Sequence, residues 1–225
     1  GKRRIEWKIN ATDFNQCIVK QKGALVMGSN RLVGTIPSEL GDCKALETLV
    51  LSSNMFTGVI PSELWLLVNL TFAVLNRNQF FDFNTIPTQL SALQTLKQLD
   101  ISSTSMGETI PTEVGTFTSL EIFDFSSNRI FGTIPSEFGH LTKLEILRIA
   151  GNRLTGSMPT EFGKLTNLRS LIFSTNDLSG VIPDEVCNLF NYSLETIGTS
   201  RSCSQAFGGL TCPSQECCPI CFGAK

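Results

Sequence analysis

The sequence is short of the groups on which catalysis most often leans. Among 225 residues there is one histidine, His140. No serine or cysteine therefore has an assignable base, and no imidazole set exists to hold a metal. The glycines fall at turns and form no phosphate-binding loop, so neither an enzyme nor a cofactor is expected. Charge of one sign is lacking too: 18 Lys and Arg stand against 20 Asp and Glu, for a net charge of −2. A nucleic-acid partner needs a basic face, which this balance argues against. Lys2, Arg3, Arg4 and Lys8 read as a solvated tail. No run reaches the roughly 18 apolar residues of a membrane span. The first residues have no apolar core of a signal peptide. Because the chain opens on Gly1 and not on Met, a processed form or a piece of a longer chain is expected.

What is present is ordered by repetition. Hydrophobic residues make up 41% and charged residues 17%, a folding composition and not a disordered one. The phrase Gly-x-Ile-Pro recurs from Gly34-Thr35-Ile36-Pro37 to Gly180-Val181-Ile182-Pro183. With two degenerate copies, Thr85-Ile86-Pro87 and Glu108-Thr109-Ile110-Pro111, the prolines fall at 37, 61, 87, 111, 135, 159 and 183, in steps of 24, 26, 24, 24, 24 and 24. Before each lies Leu-x-x-Leu-x-Leu-x-x-Asn, as in Leu46, Leu49, Leu51, Asn54 and in Leu144, Leu147, Ile149, Asn152; Thr104 takes one Asn place. The alternation predicts a short strand with one buried face. The inward Asn is expected to bond backbone groups that the turn leaves unpaired. One such coil cannot hide its apolar face, whereas a stack of coils can.

This unit resembles the plant-type extracellular leucine-rich repeat over roughly residues 24 to 190. The cysteine-rich tail also resembles the ends of diatom and algal leucine-rich-repeat proteins. The resemblance implies an α/β solenoid, a right-handed superhelix of about seven coils. A parallel β-sheet would line the concave face and short 3-10 or helical turns the convex face. It implies secretion to the extracellular space or cell surface, and recognition of a protein or glycan on the concave strands. The usual paired-cysteine cap is not visible before Cys17. Three segments are expected: an N-terminal flank or partial cap over 1–23, repeats over 24–190, and a disulfide-rich C-terminal cap over 191–225.

Eight cysteines, six of them in the last 39 residues, suit an oxidising compartment. Cys17, Cys43, Cys187, Cys203, Cys212, Cys217, Cys218 and Cys221 are expected in disulfides, with a Cys17–Cys43 bridge plausible across about one coil. Four tail thiolates on zinc are the alternative. Sequons at Asn10, Asn69 and Asn191 agree with secretion.

Residues between the buried leucines should face outward in columns. Asp100 lies beside Asp124, with Arg148 next and Arg77 across. Like charges so close would be relieved by a cationic partner, and Phe72, Ile122 and Ile146 could anchor a ligand beside them. The plainer alternative is that Arg148 neutralises Asp124 on a wet surface. A second ladder, the residue within each Gly-x-Ile-Pro (Thr35, Thr109, Thr133 and Ser157 among them), would suit an ice or mineral surface, or simply reflects β-propensity. The Glu row (Glu39, Glu63, Glu113, Glu137, Glu161, Glu185) follows Ser, Thr or Asp at helical starts and reads as a solvated face. The functions to weigh are an extracellular recognition module, an inhibitor of a secreted hydrolase, and an ice- or mineral-binding structural protein.

Overall fold

A computed structural model describes residues 23–80, 92–191 and 196–197. Each Leu-x-Leu core of the repeat forms a three-residue strand. These are β1 (Ala24–Val26), β3 (Thr48–Val50), β5 (Phe72–Val74), β6 (Gln98–Asp100), β7 (Ile122–Asp124), β9 (Ile146–Arg148) and β11 (Ser170–Ile172). With β13 (Thr196–Ile197) they build one eight-stranded parallel sheet in the order β1-β3-β5-β6-β7-β9-β11-β13. Equivalent residues pair directly: Leu49 with Ala73, Leu99 with Phe123, Phe123 with Leu147. Period-two alternation then sends one side chain of each strand into the core and its two neighbours outward. Leu49, Leu99, Phe123 and Leu147 are at most 1% exposed.

The convex wall follows from the proline. At Pro37, Pro111, Pro135 and Pro159 the backbone is extended, and a five-residue 3-10 turn begins at the next residue. Proline has no N–H to leave unpaired at that start. The inward residue of each turn, such as Leu40, Val114, Phe138 or Phe162, is fully buried. After Pro183 the turn is a short helix, α1 (Asp184–Cys187). The Glu row is acidic in the first turn, as expected, and exposed or half-buried. Glycine keeps these turns in close contact: a Cβ on Gly139 would lie 2.7 Å from Glu161 Cβ and 2.8 Å from its carbonyl oxygen.

Between the two walls runs the asparagine ladder. Asn78 Nδ2 donates to the carbonyls of Leu51 (3.0 Å) and Leu75 (2.8 Å), one on each of two coils. Its Oδ1 accepts the Phe56 N–H at 3.1 Å. Asn54, Asn128, Asn152 and Asn176 repeat the pattern. Thr104 has one hydroxyl proton and gives it to the Ile101 carbonyl at 2.8 Å. In the core, phenylalanines replace several leucines and meet ring to ring: Phe123–Phe125 centroids are 4.7 Å apart and Phe138–Phe162 5.7 Å.

One expectation changes. Cys43 carries a free, buried thiol instead of a disulfide. It stands in the wall position of Leu67 and Leu141, and all three side chains are at most 3% exposed. Burial, helped by the charge of Asp42, pushes its thiol up from the usual range and keeps it neutral. Along the Gly-x-Ile-Pro ladder the side strands do not pair equal positions. Short side strands β2 (Val33–Gly34) and β4 (Met55–Phe56) pair with a shift, Val33 against Met55, and so do β8 (Phe131–Thr133), β10 (Arg153–Gly156) and β12 (Asp177–Leu178), Thr133 against Thr155 and Thr155 against Asp177. Cys187 is disulfide-bonded. Cys17, Cys203, Cys212, Cys217, Cys218, Cys221 and Asn10 lie outside the described residues, as does the side chain of Asn191.

Candidate binding face

The outward positions of the main sheet form two columns. The strand register sets Asp100 opposite Asp124 and Asp124 opposite Arg148. In the other column it sets Gln98 opposite Ile122 and Ile122 opposite Ile146. Asp100, Asp124 and Arg148 thus meet as expected, with Ile122 and Ile146 beside them. Phe72, 40% exposed, is in the same column but two strands from Ile122, with Gln98 between. That separation is about 10 Å at strand spacing. Arg77 follows β5 with φ 54° and is exposed. Among the described residues the ion pairs are Lys97–Glu121 at 3.1 Å and Arg148–Asp124 at 3.5 Å, so Arg77 joins neither.

Residues that the sequence did not single out organise the acidic pair. Ser102 donates from its N–H (3.0 Å) and hydroxyl (2.7 Å) to Asp100 Oδ1. Ser126 does the same to Asp124 Oδ1, at 3.0 and 2.6 Å. The signal was Asp-x-Ser in adjacent coils, since residues two apart on a strand share a face. Burial raises the Asp100 carboxyl from its ordinary value, opposed by the Ser102 hydrogen bonds. Asp124 raises it further and Arg148 lowers it. The Asp124–Arg148 contact is long and its Arg side chain is 39% exposed, which makes it a weak pair. Asn76 adds an oddity: its Oδ1 is buried with no hydrogen-bond partner among the described residues.

Apolar surface continues toward β1. Val26 is 62% exposed, and Val50 and Val74 follow it in register. A second outer surface lies on the side strands. The Thr35, Thr109 and Thr133 methyl groups lie over Gly58, Gly132 and Gly156, where a Cβ would come within 2.8, 3.0 and 3.1 Å of them. The sequon residue Asn69 is exposed, and its Nδ2 donates to the Lys44 carbonyl at 2.8 Å. Among the described residues no group of His, Cys, Asp and Glu is placed to hold a metal ion. No described helix is long and apolar enough to cross a membrane.

Parallel strands stacked one per coil, a ladder of inward amides and 3-10 turns on the outer wall define a repeat solenoid. A leucine-rich repeat region model matches residues 74–191, and a leucine rich repeat model matches residues 45–67. The chain belongs to the leucine-rich repeat family. It is similar to the ectodomain of the plant membrane receptor kinase GASSHO1/SCHENGEN3 from Arabidopsis thaliana, solved with CASPARIAN STRIP INTEGRITY FACTOR 2. That match has 34% identity and a TM-score of 0.76, and covers 92% of this chain and 25% of that one. The plant peptide hormone receptor RGFR1 in complex with RGF2 matches at 34% identity and TM-score 0.75, over 83% of this chain and 29% of that chain. A plant ice-binding protein matches at 26% and 0.59, over 80% of this chain and 64% of that one. This chain therefore spans only 25% to 29% of the length of those two receptor ectodomains. No curated protein matches it by sequence.

Proposed function

We propose that the chain is an extracellular recognition module that binds a protein or glycan ligand on its concave sheet, without catalysis of its own. The observation that carries this reading is the in-register set of Asp100, Asp124 and Arg148 with Ile122 and Ile146 alongside, half-buried on the outward side of the sheet. Phe72 adds an apolar anchor two strands away and Arg77 a cation at the rim. Rigid sheets suit binding because little is lost in ordering them. The receptor ectodomains above, solved with partners of their own, support the same use of the fold. Secretion fits the expected disulfides of the tail and a glycan on Asn69, which can keep its bond to Lys44 through the remaining Nδ2 hydrogen. The test is a pull-down from the native source, followed by affinity of the captured partner for Asp100→Ala and Asp124→Ala. Unchanged affinity in both variants removes the cluster from the interface. Capture of a secreted hydrolase would favour the inhibitor reading.

A second reading has its own observation. Methyl groups of Thr35, Thr109 and Thr133 lie over the glycine of the next coil, and a plant ice-binding protein shares the fold. Thermal hysteresis of the purified chain tests it; ice growth that proceeds at the solute freezing point rules it out.

A further inference from the structure

We infer that the side strands carry a second binding site, for an anionic polysaccharide, centred on Phe131 and flanked by Arg129 and Arg153. The site lies apart from the concave sheet and does not rest on that reading. Phe131 is 46% exposed, although phenylalanines of the same coils fill the core. The register fixes its surface neighbours. Arg153 stands opposite it on β10, and Thr109 opposite it on the other side. Ile130 is buried at 2% exposure, so Arg129 and Phe131 on either side of it share the outer face. Thr133, two residues further on, shares that face too. All four neighbours are exposed. Strand geometry puts those across at about 5 Å and those along the strand at about 7 Å.

The polar groups around the ring are unspent. Among the described residues neither arginine joins an ion pair, and the nearby carboxylates of Glu108 and Asp177 join none either. The Thr109 and Thr133 methyl groups turn toward Gly132 and Gly156, and among the described residues neither hydroxyl has a hydrogen-bond partner. The backbone at Phe131 is paired on both flanks, which leaves no edge for an added peptide strand. A ligand here meets side chains alone: one ring, two cations and two hydroxyls. A sugar matches that set. Its C–H face lies against the negative face of an aromatic ring. Its rim hydroxyls suit threonine, and a carboxylate or sulfate on it takes the arginine fork in two parallel bonds. Cations on two sides of the ring favour a chain that bears an anionic group on more than one sugar. An acidic peptide would satisfy the arginines and leave the ring and the hydroxyls unmatched.

Binding of the full chain to polygalacturonate and to dextran sulfate, at about 0.15 M salt to screen loose attraction, tests this. Neutral dextran and polyglutamate are the comparison ligands. At least one charged polysaccharide is expected to bind, and the one preferred tells carboxylate from sulfate. Arg129→Gln/Arg153→Gln and, separately, Phe131→Ala should each weaken that binding at least about tenfold. Lys143→Gln/Lys164→Gln removes the same charge from exposed positions on the outer wall and should leave binding within about twofold. Circular dichroism melts confirm that the variants fold. No binding to either charged polysaccharide overturns the inference, as does equal binding of neutral dextran or of polyglutamate. An equal loss in the lysine variant overturns it as well, because net charge alone would then explain the binding. Full binding by Phe131→Ala removes the ring from the site and overturns it too. The concave sheet is tested separately by the Asp100 and Asp124 variants, so the two readings fail independently.

Discussion

Asp100 shows how one residue separates binding from folding. Its carboxyl is raised by burial, so the folded chain holds the proton more tightly than the unfolded chain does. Such a group favours folding most below the ordinary carboxylate range. That contribution is lost as pH rises through the raised value. Asp100→Asn keeps an oxygen for the two Ser102 hydrogen bonds and removes the charge. It is expected to melt higher than the parent at neutral pH, with the difference closing in acid; thermal melts across pH measure this, and a lower melting point at neutral pH would contradict it. Asn128 behaves oppositely. Its amide donates to Ile101 and Phe125 carbonyls and accepts from Thr104 and Met106 N–H groups, all within 3.1 Å. Asn128→Ala strands these buried groups and should cost about 3 kcal/mol or more in denaturant unfolding.

The element-scale unit is the coil. At Gly41, Gly115, Gly139 and Gly163 neighbouring coils touch too closely on the outer wall to admit a Cβ. Gly139→Ala would drive a methyl against the Glu161 backbone and should destabilise by about 1–3 kcal/mol. Gly107→Ala is the control, since the nearest atom to its Cβ would be Arg129 Cβ at 3.9 Å. That change should be neutral or slightly stabilising, as unfolded-chain entropy falls. Equal losses in the two variants would refute the close-contact argument. The strands, the wall residues and the amide ladder were legible in the sequence because all three obey one period, and each slot sees the same neighbours in every coil. Asp100 and Asp124 were legible because equal slots pair directly. Features that depend on geometry within a slot were hidden. Ser102 and Ser126 look like any polar column until the carboxylates turn toward them. Cys43 was legible as a leucine slot from its spacing, but not as a free, buried thiol. The side strands pair with a shift, so Thr133 faces Thr155 and not Ser157. Ser29, Ser53, Arg77, Ser103, Ser127 and Thr175 share a left-handed backbone, φ 54–61°, that no propensity of theirs announces.

At the scale of the whole molecule, one sheet joins coils that contact only their neighbours. Stability in such an array is a sum of local terms. Native-state hydrogen exchange should therefore be slowest in the middle strands β6, β7 and β9 and faster in β1; uniform protection would mean that the array opens as one unit. The in-register sheet has a further consequence, one of arithmetic. Rungs recur about every 4.8 Å, whereas an extended ligand advances about 3.3 Å per residue. The two scales act as a vernier: three ligand residues nearly equal two rungs. Side chains of such a ligand alternate faces, so only those six apart both face the sheet and fall back in step, about four coils on. An alanine scan of any bound extended peptide should then show sensitivity with a period of six.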